Sequence, residues 1–246
     1  MTNHSNSGTP LPKVAVVITA AGSSTRMGPS VKKEYLPLGD GTVLSACVKA
    51  FRGASRDSDH PFEISHLVIT VPKNGTAEAA KAAGDSNIRF VEGGSTRQKS
   101  VFNALDHISK TAPLPDYVLI HDGARPFVTA ALIQAVVQAT QIYDAATPGI
   151  TPTDTIKGLD KDGFIVTHLI RSSLTAVQTP QGFVFKKLYD AHKKAAGDDH
   201  DYTDDSEIWG KYCGKVKLVD GEVGNAKVTY PGDIEKWIAA SLRSSQ

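Results

Sequence analysis

Short runs that are apolar at nearly every position alternate along the chain with longer segments in which apolar residues recur every three or four positions. Lys13–Thr19 (KVAVVIT) is the first such run: apolar and β-branched, it has the character of a strand covered on both faces. Thr42–Arg52 follows as a helix with Leu44, Val48 and Phe51 on one side. The alternation then repeats. A strand at Ile64–Val71 is closed by Pro72, an Ala-rich helix at Asn74–Ala83 is stopped by Gly84, and a strand at Ile88–Val91 runs into Gly93-Gly94. A helix at Ser95–Lys110, a strand at Tyr117–His121 and a helix at Thr129–Tyr143 continue it. This cadence predicts an α/β fold, an open, mostly parallel Rossmann-like sheet with right-handed crossovers and helices on both faces.

The cadence breaks after Ala146. Thr147–Gly182 holds three prolines and only short mixed runs, Thr155–Lys157 and Phe164–Leu169, which predicts a β-rich arm leaving the sheet. Helical pattern returns at Val184–Ala195 and Asp204–Lys211, with short strands expected near Val216–Val219 and Ala226–Thr229. Pro231 opens a last helix to about Leu242, proline being well tolerated in a first turn. No repeat or linker divides the chain, so one domain is expected over 13–246 behind a polar, mobile tail, Met1–Pro12. That tail lacks the apolar centre of a secretory signal. The longest apolar stretch, near Val14–Ala21, is far short of the ~20 residues a bilayer helix needs. Lys+Arg 27 against Asp+Glu 26 gives +1 with no basic block, which argues against a generic nucleic-acid binder. Cys47 and Cys213 make neither a disulfide framework nor a metal spacing, and a cytoplasmic protein is expected.

In sheets of this kind ligands sit at the carboxyl ends of the strands, so the chemistry is sought in the loops that follow them. The first, Ala20-Ala21-Gly22-Ser23-Ser24-Thr25-Arg26-Met27-Gly28, is rich in small residues and hydroxyls that let backbone N–H groups approach a phosphate. Its glycine spacing fits neither a Walker loop nor the dinucleotide fingerprint. Arg26 and Lys33 bracket the turn, one a fork and one a point charge; a polyphosphate would use both, but ordinary solvated cations are equally compatible with the spacing. Gly93-Gly94-Ser95 with Ser100 would present backbone donors to a flat ligand such as a base, the simpler reading being a turn with Ser95 as N-cap. Asp122, just past a buried strand, is a candidate for Mg²⁺ or substrate, or for capping its own loop; Arg125 could hold an anion. His121 reads as a satisfied strand residue. The acidic run Asp198–Asp205 lacks the EF-hand's ligand alternation and is explained by a helix start near Asp204. No zinc cluster and no nucleophile elbow occurs.

Together these segments resemble the polyol-phosphate nucleotidyltransferases. Ala20–Gly28 with Lys33–Leu36 is similar to the family's opening, and Gly93–Asn103, His121–Pro126, Asp154–Lys157, Gln178–Phe183, Thr203–Asp205 and Gly224–Asp233 narrow the resemblance to its 2-C-methyl-D-erythritol 4-phosphate cytidylyltransferase branch. The resemblance implies a reaction of CTP with methylerythritol 4-phosphate, with Mg²⁺, giving the CDP-alcohol and pyrophosphate on the non-mevalonate route to isoprenoid precursors. The acceptor's own phosphate would attack the α-phosphorus, so no protein nucleophile is required. By resemblance Arg26, Lys33, Arg171 and Lys227 carry the chemistry. Ala20, Ala21, Gly22, Gly94, Ser95 and Ser100 surround the nucleoside. Asp122, Arg125, Thr155, Thr179 and Thr203 contact the acceptor, and Asp122 is the one metal ligand offered by the chain, magnesium being held mainly by the phosphates. The resemblance also implies a homodimer in which each arm crosses to its partner and delivers Thr155 and Arg171. Ribitol 5-phosphate as acceptor, and a CTP-binding protein without turnover, are the alternatives. Lys32 and Glu34 stand where many members have Pro and Gln, and Gly123 where many have Ala.

Overall fold

A computed structural model describes residues 10–24, 27–28, 31–56 and 60–236 of the 246. Most of the polar tail (1–9), Arg26, and the end of the last expected helix lie outside the described residues.

The elements run β1 (Lys13–Thr19), β2 (Pro37–Leu38), β3 (Gly41–Thr42), α1 (Val43–Ala54), β4 (Glu63–Val71), α2 (Thr76–Ala83), β5 (Arg89–Glu92), α3 (Arg97–Ser109), β6 (Tyr117–Asp122) and α4 (Ala130–Tyr143). They continue as β7 (Ala145–Ile150), β8 (Lys157–Leu159), β9 (Ile165–His168), β10 (Ala176–Val177), β11 (Gln181–Val184), α5 (Phe185–Ala195), α6 (Asp205–Tyr212) and β12 (Lys217–Asp220). An 8-stranded sheet has the order β10-β7-β11-β6-β1-β4-β5, with β12 paired to β7. The pairs β1–β4, β4–β5 and β1–β6 are parallel, as the βαβ cadence requires. β11 inserts antiparallel between β6 and β7, and β12 lies parallel to β7, so the sheet is mixed on that side.

β1 explains why its sequence carries no polar face. Val14, Val16 and Ile18 pack into a core shared with Leu44, Phe51, Leu132 and Ile133, whereas Ala15 and Val17 pack on the other side with Val101, Leu105, Phe185 and Trp209. Alternate residues of one strand thus supply two cores, beneath α1 and α4 on one face and α3, α5 and α6 on the other. Several of the helices start on side-chain caps. Thr42 accepts from Ser45 N–H in a reciprocal capping box, Thr129 accepts from Leu132 N–H, and Asp204 accepts from Glu207 N–H, so the acidic run does open a helix.

Three expectations need correction. The arm is shorter than 147–182: Thr147–Ile150 belong to β7 and Ala176–Gly182 return as β10 and β11, so only 151–175 leaves the sheet, carrying the antiparallel hairpin β8–β9. α3 begins at Arg97 with Thr96 as its N-cap, accepting from Lys99 N–H, and Ser95 lies before the cap. Ala226–Thr229 is not a strand; this segment crosses the end of the sheet instead of joining it, held by one backbone bond from Val228 N–H to Ala124 C=O.

Candidate functional site

The chain passes from β1 to β4 and β5 on one side and then returns to lay β6 on the other side of β1. The direction of winding therefore reverses between β1 and β6, the place where an open α/β sheet leaves a crevice. Thr19 and Asp122, the last residues of those strands, sit side by side in register. Above them opens a cavity of about 470 Å³, walled by the loop after β1, the loop after β5, the end of β6 and the crossing segment with Lys227 and Thr229.

Close backbone approach makes this crevice possible. A Cβ on Gly93 would lie 2.3 Å from Ala21 Cβ and 2.8 Å from Ser100 Oγ, so the first and second loops can meet only over a glycine. At Gly94 a Cβ would fall 2.3 Å from Lys99 Cβ. Ser100 is buried. Its hydroxyl accepts from Gly94 N–H at 3.1 Å and donates to Thr96 C=O at 2.9 Å, so it shapes the turn. Ala20 is buried too, and its N–H donates to Thr70 C=O at 3.0 Å, which fastens the first loop to β4. Ala21, Gly22, Gly94, Ser95 and Ser100 line the open space.

Cations gather on one side. Lys33 and Lys227 both line the cavity and both engage the crossing segment or the strand it covers. Lys33 Nζ donates to Val228 C=O at 3.0 Å, and Lys227 Nζ donates to Asp122 Oδ2 at 2.7 Å. Asp122 also has Arg97 at 3.6 Å and Arg125 at 3.7 Å. Burial by itself would raise the Asp122 carboxyl, but Lys227, Arg97 and Arg125 outweigh it and hold the group well below the usual carboxylate range. Arg125 Nη1 donates to Asn225 C=O at 2.8 Å, so it fixes the crossing segment from beneath.

Arg97, to which the sequence assigns no role, is a cavity residue and the link to a second buried acid. Its Nη1 donates to Asp205 Oδ2 at 2.7 Å, and Asp205 Oδ1 meets His192 Nε2 at 3.0 Å with both acid and imidazole buried. Burial lowers the Arg97 guanidinium, and Asp205 and Asp122 more than reverse this, so its pKa ends above the ordinary value. Only the long-range pairing of α6 with α3 reveals this role; no local spacing signals it. Thr19 and Thr70, also on the wall, carry no local signal either, whereas Ser23 belongs to the hydroxyl-bearing first loop.

Several expected contacts lie elsewhere. Thr179 is buried, its hydroxyl taken up by His121 Nδ1 at 3.1 Å and by Asp122 N–H at 3.0 Å, so it supports the end of β6 from below the cavity. Thr203 stands before α6, where its N–H donates to Glu207 at 3.1 Å. Thr155 and Arg171 lie in the exposed arm, and Arg171 donates to Thr153 C=O at 3.0 Å. None of these four lines the cavity, and Arg26 lies outside the described residues. His121 is a satisfied strand residue, buried and bonded at both ring nitrogens.

Among the described residues no three His, Cys, Asp or Glu side chains converge as metal ligands. Asp122 alone offers an anionic oxygen to the cavity's strand side, and three cations already compensate it. That donor set fits a magnesium ion that arrives on phosphates and takes one carboxylate, not a free ion caged by protein.

A glycine-lined crevice at the switch point of a mostly parallel sheet, with Lys33, Lys227 and Arg97 converging on it and no nucleophile elbow in the sequence, defines a phosphate-binding α/β protein of the nucleotidyltransferase kind. Residues 14–241 match the family IspD: 2-C-methyl-D-erythritol 4-phosphate cytidylyltransferase. The chain is 40% identical to the Syntrophotalea carbinolica protein of that name, over 90% of this chain and 93% of the relative. It is 36% identical to the Clostridium beijerinckii protein of the same name, over 90% and 95%. A solved structure from Anaerococcus prevotii, a 4-diphosphocytidyl-2C-methyl-D-erythritol synthase, superposes with a TM-score of 0.77 at 30% identity, covering 94% of this chain and 97% of that one. The chain belongs to this cytidylyltransferase family.

Proposed function

We propose that the protein transfers the cytidylyl group of CTP to 2-C-methyl-D-erythritol 4-phosphate, giving 4-diphosphocytidyl-2-C-methyl-D-erythritol and pyrophosphate in the non-mevalonate isoprenoid route. The observation that carries the reading is the convergence of Lys33, Arg97 and Lys227 on one cavity that Gly94 and the small residues of the first loop, Ala21 and Gly22, also line. Two anions that repel each other must be brought together, and the acceptor phosphate is itself the nucleophile. The protein's task is therefore to position both and to offset charge that builds at the α-phosphorus, which a fixed array of cations in a partly desolvated crevice does.

In this reading the backbone of Ala21, Gly22 and Gly94 and the Ser95 side chain face the nucleoside, while Ala20 and Ser100 hold those turns in shape. Lys33 and Arg26 serve the triphosphate and the charge of the transition state. Lys227, aimed by Asp122, and Arg125 serve the acceptor side. Thr179 acts through Asp122, and Thr203 is carried by a loop beside the cavity. Asp122 would hold a magnesium ion bound with the nucleotide, which would supply charge neutralisation to the phosphates. A melting experiment separates the two modes: Mg²⁺ alone is expected to leave the transition in place, and Mg²⁺ with CTP to raise it.

Thr155 and Arg171 complete the site from a second copy, in a homodimer that exchanges its arms. The support is the arm's composition: Ile156, Leu159, Phe164, Ile165, Val166, Leu169 and Ile170 are all exposed on a hairpin too small to bury them itself. A cytoplasmic location accords with the two free cysteines, and among the described residues no helix is long and apolar enough to cross a membrane.

The test is turnover of CTP and Mg²⁺ with each polyol phosphate, followed as pyrophosphate release. Preference for methylerythritol 4-phosphate is expected; preference for ribitol 5-phosphate, or CTP binding without release, would replace this reading.

A further inference from the structure

Lys32 and Glu34 flank Lys33 in sequence, and none of the chemistry above uses them. Both limbs of the first loop, Gly22–Ser24 leaving β1 and the single turn Lys33–Tyr35 returning, line the cavity. Lys32 and Glu34 join these limbs. The Lys32 ammonium donates to the Gly22 carbonyl and pairs with Glu34 Oε2 at 3.2 Å. Glu34 accepts from the Ser24 hydroxyl at 3.4 Å, and the Lys33 amide N–H donates to Ser24 Oγ at 3.5 Å. The main chain on either side of Lys33 is thus fastened to the limb that faces it.

The pair is also out of bulk water. The Lys32 and Glu34 side chains are 15% and 5% exposed, which separates them from solvated surface pairs that contribute almost nothing. For a desolvated pair, the effect of removing one partner is dominated by the charge left behind. Here that charge matters twice, because Glu34 is itself part of the cavity wall. A carboxylate on the wall of a crevice that accepts a triphosphate repels it unless a cation within ion-pair distance cancels the charge. Lys32 is that cation.

We propose that Lys32 is a positioning residue that acts through Glu34: it cancels the one acid on the first loop's side of the cavity and holds the two limbs of that loop around Lys33. The proposal rests on the reading that the cavity takes CTP, and the experiment keeps the two apart. CTP–Mg²⁺ binding is measured by calorimetry for wild type, Lys32→Ala, Glu34→Gln and the double variant, with thermal melts to establish that each is folded. Lys32→Ala is expected to weaken CTP about tenfold, and Glu34→Gln to bind it as tightly as wild type or tighter. The double variant is expected to recover to within about threefold of wild type, since the repelling acid is gone. An unchanged affinity in Lys32→Ala would overturn the proposal. So would an equal loss in Lys32→Ala and the double variant, which would mean that Lys32 meets the nucleotide directly. Wild type that binds no CTP would overturn the functional reading, and this inference with it.

Discussion

Among the described residues, Lys33 and Lys227 are the two lysines on the cavity wall, and their neighbours fix where they stand. Lys227 is bonded to an acid and Lys33 to a carbonyl, and both bonds tie the crossing segment over the end of the sheet to the strands and loop beneath it. A charge placed in advance costs no reorganisation when charge develops on a transferring group, so in the proposed reaction Lys33 serves the transition state more than binding. Lys33→Ala is therefore expected to lower kcat by about 10²–10³ with little change in KM for CTP; an unchanged kcat would remove Lys33 from the chemistry. Asp205 acts one step further back. It is fully buried between Arg97 and His192, and although burial would raise its carboxyl, Arg97 and His192 hold it below the ordinary range. Asp205→Asn keeps the shape and removes the charge that balances Arg97. A loss of about 3 kcal/mol in unfolding free energy is expected from a urea titration, along with reduced kcat/KM as Arg97 loses its orientation. A variant as stable as wild type would show that Arg97 is balanced by Asp122 alone.

The end of β6 is the element on which the site is built, and its order depends on a neutral histidine. His121 is buried edge-on to Phe51, at 5.1 Å between ring centroids, and burial pushes its pKa down to about 4 against the opposing pull of Asp122. Arg125 and Lys227 push it the same way as burial. With Thr179 on Nδ1 and the Arg125 carbonyl on Nε2, the ring connects three residues around the cavity floor. In the unfolded chain the imidazole takes up a proton near pH 6.5, well before the folded one does, so the stability it contributes is complete above about pH 6.5 and is lost as pH falls toward about 4. The loss amounts to about 3 kcal/mol over that window. Urea midpoints across this range should fall more steeply for wild type than for His121→Gln; parallel curves would count against the neutral buried ring. The strand was legible in the sequence, and so was His121 as a satisfied residue, because an apolar run with one polar position admits few other arrangements. The caps at Thr42, Thr129 and Asp204 fell near the expected helix starts for a local reason too. What the sequence did not reveal is long-range. Arg97 gains its place through Asp205, 108 positions away, together with Asp122, and Ala226–Thr229 looks like a strand by composition although its backbone bonds to Ala124 and not to a ladder. β11 was hidden within the arm because antiparallel insertion between β6 and β7 leaves no periodic mark.

At the scale of the whole molecule, the site and the arm point away from one another's needs. The cavity holds Lys33, Arg97 and Lys227 but neither Thr155 nor Arg171, while the arm from 151 to 175 carries those two residues and a set of apolar side chains that are exposed among the described residues. In the homodimer proposed above, a second copy would resolve both at once: its surface would bury the arm and its cavity would receive the arm's Arg171, in a closed two-fold arrangement where each subunit gives what the other lacks. Complementation distinguishes this from an arm that folds back on its own chain. Lys33→Ala and Arg171→Ala are each expected to be nearly inactive. In a mixed dimer, the cavity of the Arg171→Ala subunit keeps Lys33 and receives an intact arm, whereas the other site is broken twice. Mixing the two proteins under conditions of subunit exchange, followed by mass measurement, should therefore restore roughly a quarter of wild-type turnover, half the dimers being mixed and each carrying one good site. If Arg171 served its own chain, every site in the mixture would lack one group or the other, and exchange would restore nothing.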